Sequence, residues 1–299
     1  MTQPGLSLIV GAPLDCSGRF TGVERMPAAL RNAGLVTSLG LPDLGDWPVQ
    51  IANAQRDPAS GIIGYADVCA SSAVIRQELG ELLARGERPL IVGGCCTLLI
   101  GVFAALRNQG TETALAFIDG HLDFYDGGSS PTGEAADMEL AILCGLGPAG
   151  LTHLAGPPPL VDPANVVVLG HRDAAEAAAD GAPDPATLFP AMTLHNADSV
   201  RAHGAATLGQ AVAGHFAERA QPFWLHLDLD VLDETALPAV DYLMPGGLSW
   251  AETAALARPL LHSPHLRGAD ITIYNPTLDP DGRYARQIVS FLAELWQPL

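Results

Sequence analysis

The sequence predicts an α/β fold, one three-layer α/β/α domain over residues 1–299 built on a mostly parallel sheet. Short apolar runs rich in β-branched residues alternate with longer helical patterns, as strands and crossover helices do. The runs are apolar at every position, the mark of strands covered on both faces. No linker composition divides the chain, and Gly156-Pro157-Pro158-Pro159 reads as a single loop.

In chain order, strands are expected at 6–11, 89–92, 114–119, 166–169, 223–229 and 269–274. Helices are expected at 65–85, 97–107, 135–145, 199–219, 250–261 and 284–297. Ser249 followed by Glu252 forms a capping box ahead of 250–261. The longest uncharged apolar run, 90–106, is broken by Gly93, Gly94 and Gly101 and is too short to span a bilayer. Met1-Thr2-Gln3-Pro4 lacks the basic and apolar regions of a secretory leader. The five cysteines, at 16, 69, 95, 96 and 144, form no CxxC, so a cytoplasmic location is expected.

The charge balance narrows function. All 15 cations are arginine, against 33 carboxylates, for a net charge of −18. Without lysine there is no Schiff-base amine and no phosphate-gripping P-loop. So acidic a chain is a poor partner for nucleic acid or an anionic membrane surface. A cationic or neutral small molecule suits it better.

In open parallel sheets, ligands bind beyond the carboxyl ends of the strands. Two of the expected ends carry carboxylates: Asp119-Gly120-His121-Leu122-Asp123, and His226-Leu227-Asp228-Leu229-Asp230-Val231-Leu232-Asp233. Alternation along an extended chain puts Asp119, His121 and Asp123 on one side, and Asp228 and Asp230 on one side. Four carboxylates in one crevice need a compensating cation, arginine or metal. Oxygen ligands with imidazole suit manganese or a similar divalent ion, and shared carboxylates suit a pair. A third end, Gly93-Gly94-Cys95-Cys96-Thr97, turns from strand to helix; on spacing alone its cysteines read as core residues.

These stretches together resemble the ureohydrolase family of arginase, agmatinase and formiminoglutamase. Its pattern runs Gly-Gly-Asp-His-Ser, Asp-Ala-His-x-Asp and Ser-x-Asp-x-Asp-x-x-Asp. Val10-Gly11-Ala12-Pro13, Pro245-Gly246-Gly247-Leu248 and Asn275-Pro276 also resemble its early and late motifs. The resemblance implies an arginase-like fold and two Mn2+ ions bridged by Asp119 and Asp228. His121 and Asp230 would complete one ion; Asp123 and Cys96 would complete the other. Cysteine at that last place, with Ile-Asp-Gly-His at the second motif, resembles the branch that hydrolyses Nω-hydroxy-L-arginine. The implied reaction is attack by a hydroxide shared between the ions on an sp² carbon bonded to nitrogen. Asp123 and His121 are its catalytic candidates, and an amine is expelled.

Three positions depart from the family. Ile273 stands where a glutamate anchors the guanidinium, Ala136 where arginase carries a proton-relaying histidine, and Tyr125 where an asparagine holds the substrate carboxylate. The loop brings Asp126, Glu134, Asp137 and Glu139 instead. Glu134, Asp137, Tyr125 and Thr132 are the substrate-facing candidates, while Glu139 reads as a first-turn acid of the following helix. His226 and Asp270 are expected to support the ligands from behind. His153, His195, His203, His215, His262 and His265 read as surface residues.

The function this implies is hydrolysis of a guanidine-, hydroxyguanidine- or amidine-type small molecule. The alternatives are a formimino or formamide hydrolase, and a metal-binding paralogue that has lost catalysis. A homo-oligomer is compatible with this reading. A Cys95 or Cys96 nucleophile paired with His121 would leave four aspartates unexplained.

Overall fold

The computed structural model describes residues 5–296. Met1–Pro4, where no leader is expected, and residue 297, the expected end of the last helix, lie outside the described residues. Eight strands form one sheet: β1 Leu8–Ala12, β2 Asp43–Asp46, β3 Pro89–Gly93, β4 Ala114–Ile118, β5 Val166–Leu169, β6 Thr193–His195, β7 Phe223–Asp228 and β8 Leu266–Thr272. Their order is β2-β1-β3-β8-β7-β4-β5-β6, and every pairing is parallel. The six expected strands are all present, with ends shifted by up to three residues.

The sequence reading missed the two outermost strands. β2 is four residues, Asp-Leu-Gly-Asp, half-buried and exposed in alternation. β6 is three residues and partly exposed. Edge strands pack on one side only, so neither needs an unbroken apolar run. The Arg31 guanidinium holds β2 in place by pairing with both Asp43 and Asp46.

Right-handed crossovers dictate the layers. The steps β2 to β3 and β3 to β4 run one way across the sheet, carrying helices Tyr65–Ala84 and Leu98–Asn108. The steps β1 to β2, β6 to β7 and β7 to β8 run the other way, carrying Met26–Asn32, Leu35–Leu39, Ala205–Glu218 and Trp250–Leu261. The first two helices pack together on one face; the others form a second layer completed by Arg283–Trp296. No helix among the described residues is long and apolar enough to cross a membrane.

Two expected helices differ. The 199–219 segment is two helices, Ala197–His203 and Ala205–Glu218, divided at Gly204, whose φ of 79° no helix interior adopts. The 135–145 segment is one 3₁₀ turn, Ala135–Asp137, followed by the five-residue helix Glu139–Leu143. Met138, with φ −125°, breaks the run.

The sheet's central strands β3, β8, β7 and β4 lie side by side where the winding changes direction. Their carboxyl ends therefore open on the crevice in which such sheets bind ligands.

Candidate metal centre

Each central strand delivers part of one buried acidic site. β4 runs into Asp119, and β7 ends at Asp228 and turns through the 3₁₀ segment Leu229–Val231 that carries Asp230. Cys96 follows β3, and Ile273 follows β8. Simple alternation holds for Asp119 and His121, whose Nδ1 lies 3.7 Å from Asp119 Oδ1 and 3.0 Å from Asp230 Oδ2. Asp123 arrives differently. Its backbone is left-handed, with φ 47°, and its carbonyl accepts the amides of Leu140 and Ala141. That turn brings its carboxylate to Cys96 and Glu139, with Asp119 and Asp230 among the neighbouring charges it feels.

Three sets of donors each have ligand atoms within 4.8 Å of one another: Asp119, His121 and Asp230; Cys96, Asp123 and Glu139; and Asp119, Glu139 and His226. Asp228 sits beside them with both oxygens engaged, one by the Asp230 amide at 2.9 Å and the other by Thr272 Oγ1 at 2.8 Å. Cys96 Sγ donates to the Ala136 carbonyl at 3.3 Å.

Among the described residues, the ion-pair partners of these acids are histidines: His121, and His226 between Asp119 and Asp270. Arg172, the nearest strand-end arginine, instead donates to the carbonyls of Asp230, Leu232 and Met244 and fixes the turn beneath the site. The excess of buried negative charge shows in the ionisation of the acids. Burial, reinforced by neighbouring carboxylates, pushes Asp123, Asp228 and Glu139 well above the carboxylate range. It raises the Cys96 thiol as well, with Glu139 as the largest neighbouring charge. Asp119 is buried too, yet hydrogen bonds from His121 and His226 hold it low. A divalent cation reverses this balance by favouring every anionic form at once. The donors, carboxylates with imidazole and one thiol, fit such an ion.

The substrate-facing candidates line one cleft with Cys96, Asp123, Asp228 and Asp230, around a cavity of about 130 Å³. Asp137 Oδ2 accepts Ser130 Oγ and Thr132 Oγ1, each at 2.7 Å, while its Oδ1 is buried without a partner. Thr132 thus holds Asp137 in place. Glu134 Oε2 accepts the Cys16 thiol at 3.0 Å. Tyr125 donates to Asp180 at 3.1 Å, and Ala136 and Ile273 complete the apolar wall. Arg56 clamps this loop through the carbonyls of Gly61, Gly127 and Ser130. Asp126 turns away and caps the amides of Gly128 and Ser129.

Glu139 is a first-turn acid, as expected, but it caps no backbone amide and is fully buried, with neither carboxylate oxygen hydrogen-bonded. One expectation is corrected: of the six histidines expected on the surface, His195, His262 and His265 are half-buried. The sequence reading also passed over the end of β5. There His171 and Asp173 are buried, Asp173 accepts the Leu122 amide, and Asp173 and Glu176 line the cleft. The rule that singled out the other strand ends would have found them.

Residues 7–296 match the arginase family profile. This chain belongs to the arginase family. It is 26% identical to an arginase of Bacillus caldovelox over 294 residues, covering 96% of this chain and 97% of that one. It is 28% identical to an arginase of Staphylococcus aureus (strain MSSA476) over 301 residues, covering 98% and 97%. The solved structure of the Bacillus caldovelox arginase superposes with a TM-score of 0.85 at 25% identity, covering 99% of each chain. The arginase-like fold is therefore the observed one, and the acidic cleft lies in an arginase-family hydrolase.

Proposed function

We propose that the chain is a binuclear-metal hydrolase of a hydroxyguanidine- or other amidine-type small molecule, Nω-hydroxy-L-arginine among them, and that arginine is a poor substrate. One observation carries this reading. The cleft wall at Ile273 is apolar, while Asp137, which lines the same cleft, keeps one buried oxygen without a partner. Ile273 holds a φ of 77°, a conformation that is an outlier for a β-branched residue, so its side chain is fixed in the wall by the backbone. A planar guanidinium buried against isoleucine would lack a counter-charge there.

In this reading Cys96, Asp119, Asp123 and Asp228 would hold one Mn2+, and Asp119, His121, Asp228 and Asp230 would hold the other. When bound, the pair supplies Lewis acidity and water that ionises near neutral pH. Asp123, fixed through its carbonyl to the helix behind it, orients the attacking water by accepting its hydrogen bond. His121, whose Nδ1 faces Asp119 and Asp230, would present that nitrogen to the ion and lines the same cleft. Asp137 Oδ1 receives the substrate's N–H groups, and Tyr125, Glu134 and Thr132 shape the outer cleft. All five cysteines are free, in keeping with a reducing, cytoplasmic setting.

Asp137→Asn tests the substrate side. Its KM for a hydroxyguanidine, which N-hydroxylation makes less basic and able to bind uncharged, should rise at least about tenfold, the effect of losing one charge-assisted hydrogen bond, with a smaller change in kcat. An unchanged KM would favour the second reading, a formimino or formamide hydrolase in which Ser130 and Thr132 use Asp137 only to hold the loop. Absence of turnover across guanidines, amidines and linear amides would leave a metal-binding paralogue.

A further inference from the structure

Glu139 is the acid of the site that the proposed ligand set leaves unused. It opens the helix Glu139–Leu143, is 0% exposed, and has no donor for either carboxylate oxygen. One side of it faces Cys96 and Asp123; another faces Asp119 and His226. A carboxylate pressed against Asp123 in a buried pocket needs a shared proton or a cation between the two.

His226 is equally specific in its placement. Both ring nitrogens are buried. Nδ1 lies 2.5 Å from Asp270 Oδ2, and Asp270 is itself fixed by Trp224 Nε1 at 2.6 Å. Nε2 points to the site, 3.4 Å from Asp119 Oδ2. A carboxylate on one nitrogen and a carboxylate-lined pocket at the other is the arrangement of a metal-bound imidazole, in which the outer acid sets the tautomer and aims the lone pair.

We propose that Glu139 and His226 are metal ligands: Glu139 lies between two donor sets, reaching the ion at Cys96 and Asp123 on one side and joining the His226 imidazole and Asp119 on the other. The inference rests on the dimetal reading above and changes its ligand set. It gives the site a second imidazole, supplied from β7 two residues before Asp228, where position 96 offers a thiol. It also explains why a glutamate with no other partner is tolerated in the core.

The experiment uses the full chain, stripped with a chelator and titrated with Mn2+ and Co2+. Wild type, Glu139→Gln and His226→Gln are compared by bound ions per chain, by metal-dependent thermal stabilisation and by the cobalt visible spectrum. Glu139→Gln should weaken at least one ion by roughly tenfold or more, and should leave the metal-free protein no less stable than wild type. His226→Gln should alter the cobalt spectrum. Should that variant fail to fold, pulsed electron paramagnetic resonance on wild type carrying Mn2+ and ¹⁵N-histidine counts the coordinated imidazoles. Two, His121 and His226, support the proposal; one overturns the role of His226, leaving it a charged bridge between Asp119 and Asp270. Two ions bound by Glu139→Gln with unchanged affinity and spectrum overturn the role of Glu139. A wild type that binds neither metal removes the dimetal reading itself.

Discussion

At the scale of single residues, the site is a set of buried ionisable groups whose environments oppose one another. His171 gives the simplest case outside the acid cluster. It is buried, Nδ1 has no partner, and burial lowers its pKa to about 4 despite the nearby charge of Asp119. The folded protein therefore binds fewer protons here than the unfolded chain between the ordinary histidine value and pH 4. Stability from this group is complete at neutral pH and is lost as pH falls through that window, amounting to roughly 3 kcal/mol. His171→Gln should flatten this part of the stability profile of the metal-free protein in urea, measured from pH 7 to 4.5. An unchanged slope would assign the loss to other groups. The residues that bear chemistry were legible in the sequence wherever a strand end announced them, as at Asp119, His121, Asp228 and Asp230. Glu139 was not legible. Its spacing matches an ordinary first-turn acid, and only the left-handed turn at Asp123 folds that helix start back over Cys96. His171 and Asp173 were legible but were passed over.

At the scale of elements, continuous apolar runs marked the six inner strands because each is covered on both faces. β2 and β6 lack that signal, since an edge strand of three or four residues is fixed by partners such as Arg31. The helices Tyr65–Ala84 and Leu98–Asn108 depend on close approach at Gly101. A Cβ there would lie 2.6 Å from Ile75 Cβ and 2.7 Å from the Ser72 carbonyl oxygen. Gly101→Ala should cost about 1–3 kcal/mol by overpacking, less the small gain of alanine in a helix. Denaturant unfolding measures it; a neutral or stabilising result would mean the two helices move apart freely. The capping box at Ser249 was read from sequence and forms as read, with Ser249 and Glu252 reciprocally bonded. Ser249→Ala should cost about 1 kcal/mol in the same assay.

At the scale of the whole molecule, fold and chemistry are joined by winding. Reversal of strand order brings the ends of β3, β8, β7 and β4 together, and the chain has placed acids on two of them, β4 and β7, a cysteine after β3 and an apolar residue after β8. The fold class and its layers follow from runs and alternation alone. The substrate depends on what the loop after β4 does, and no periodicity describes that loop. Part of the −18 charge has a local purpose, to gather carboxylates around cations that no lysine provides and that arginine, spent on backbone carbonyls at Arg172, does not reach.

The most direct test of the account is the ratio of kcat/KM for Nω-hydroxy-L-arginine to that for L-arginine, measured on the Mn2+-loaded enzyme. An apolar Ile273 in place of a guanidinium-anchoring acid predicts a ratio of at least about a hundredfold, the penalty for leaving a charged group without its hydrogen-bonded partner. A ratio at or below one would contradict it and make the chain an ordinary arginase.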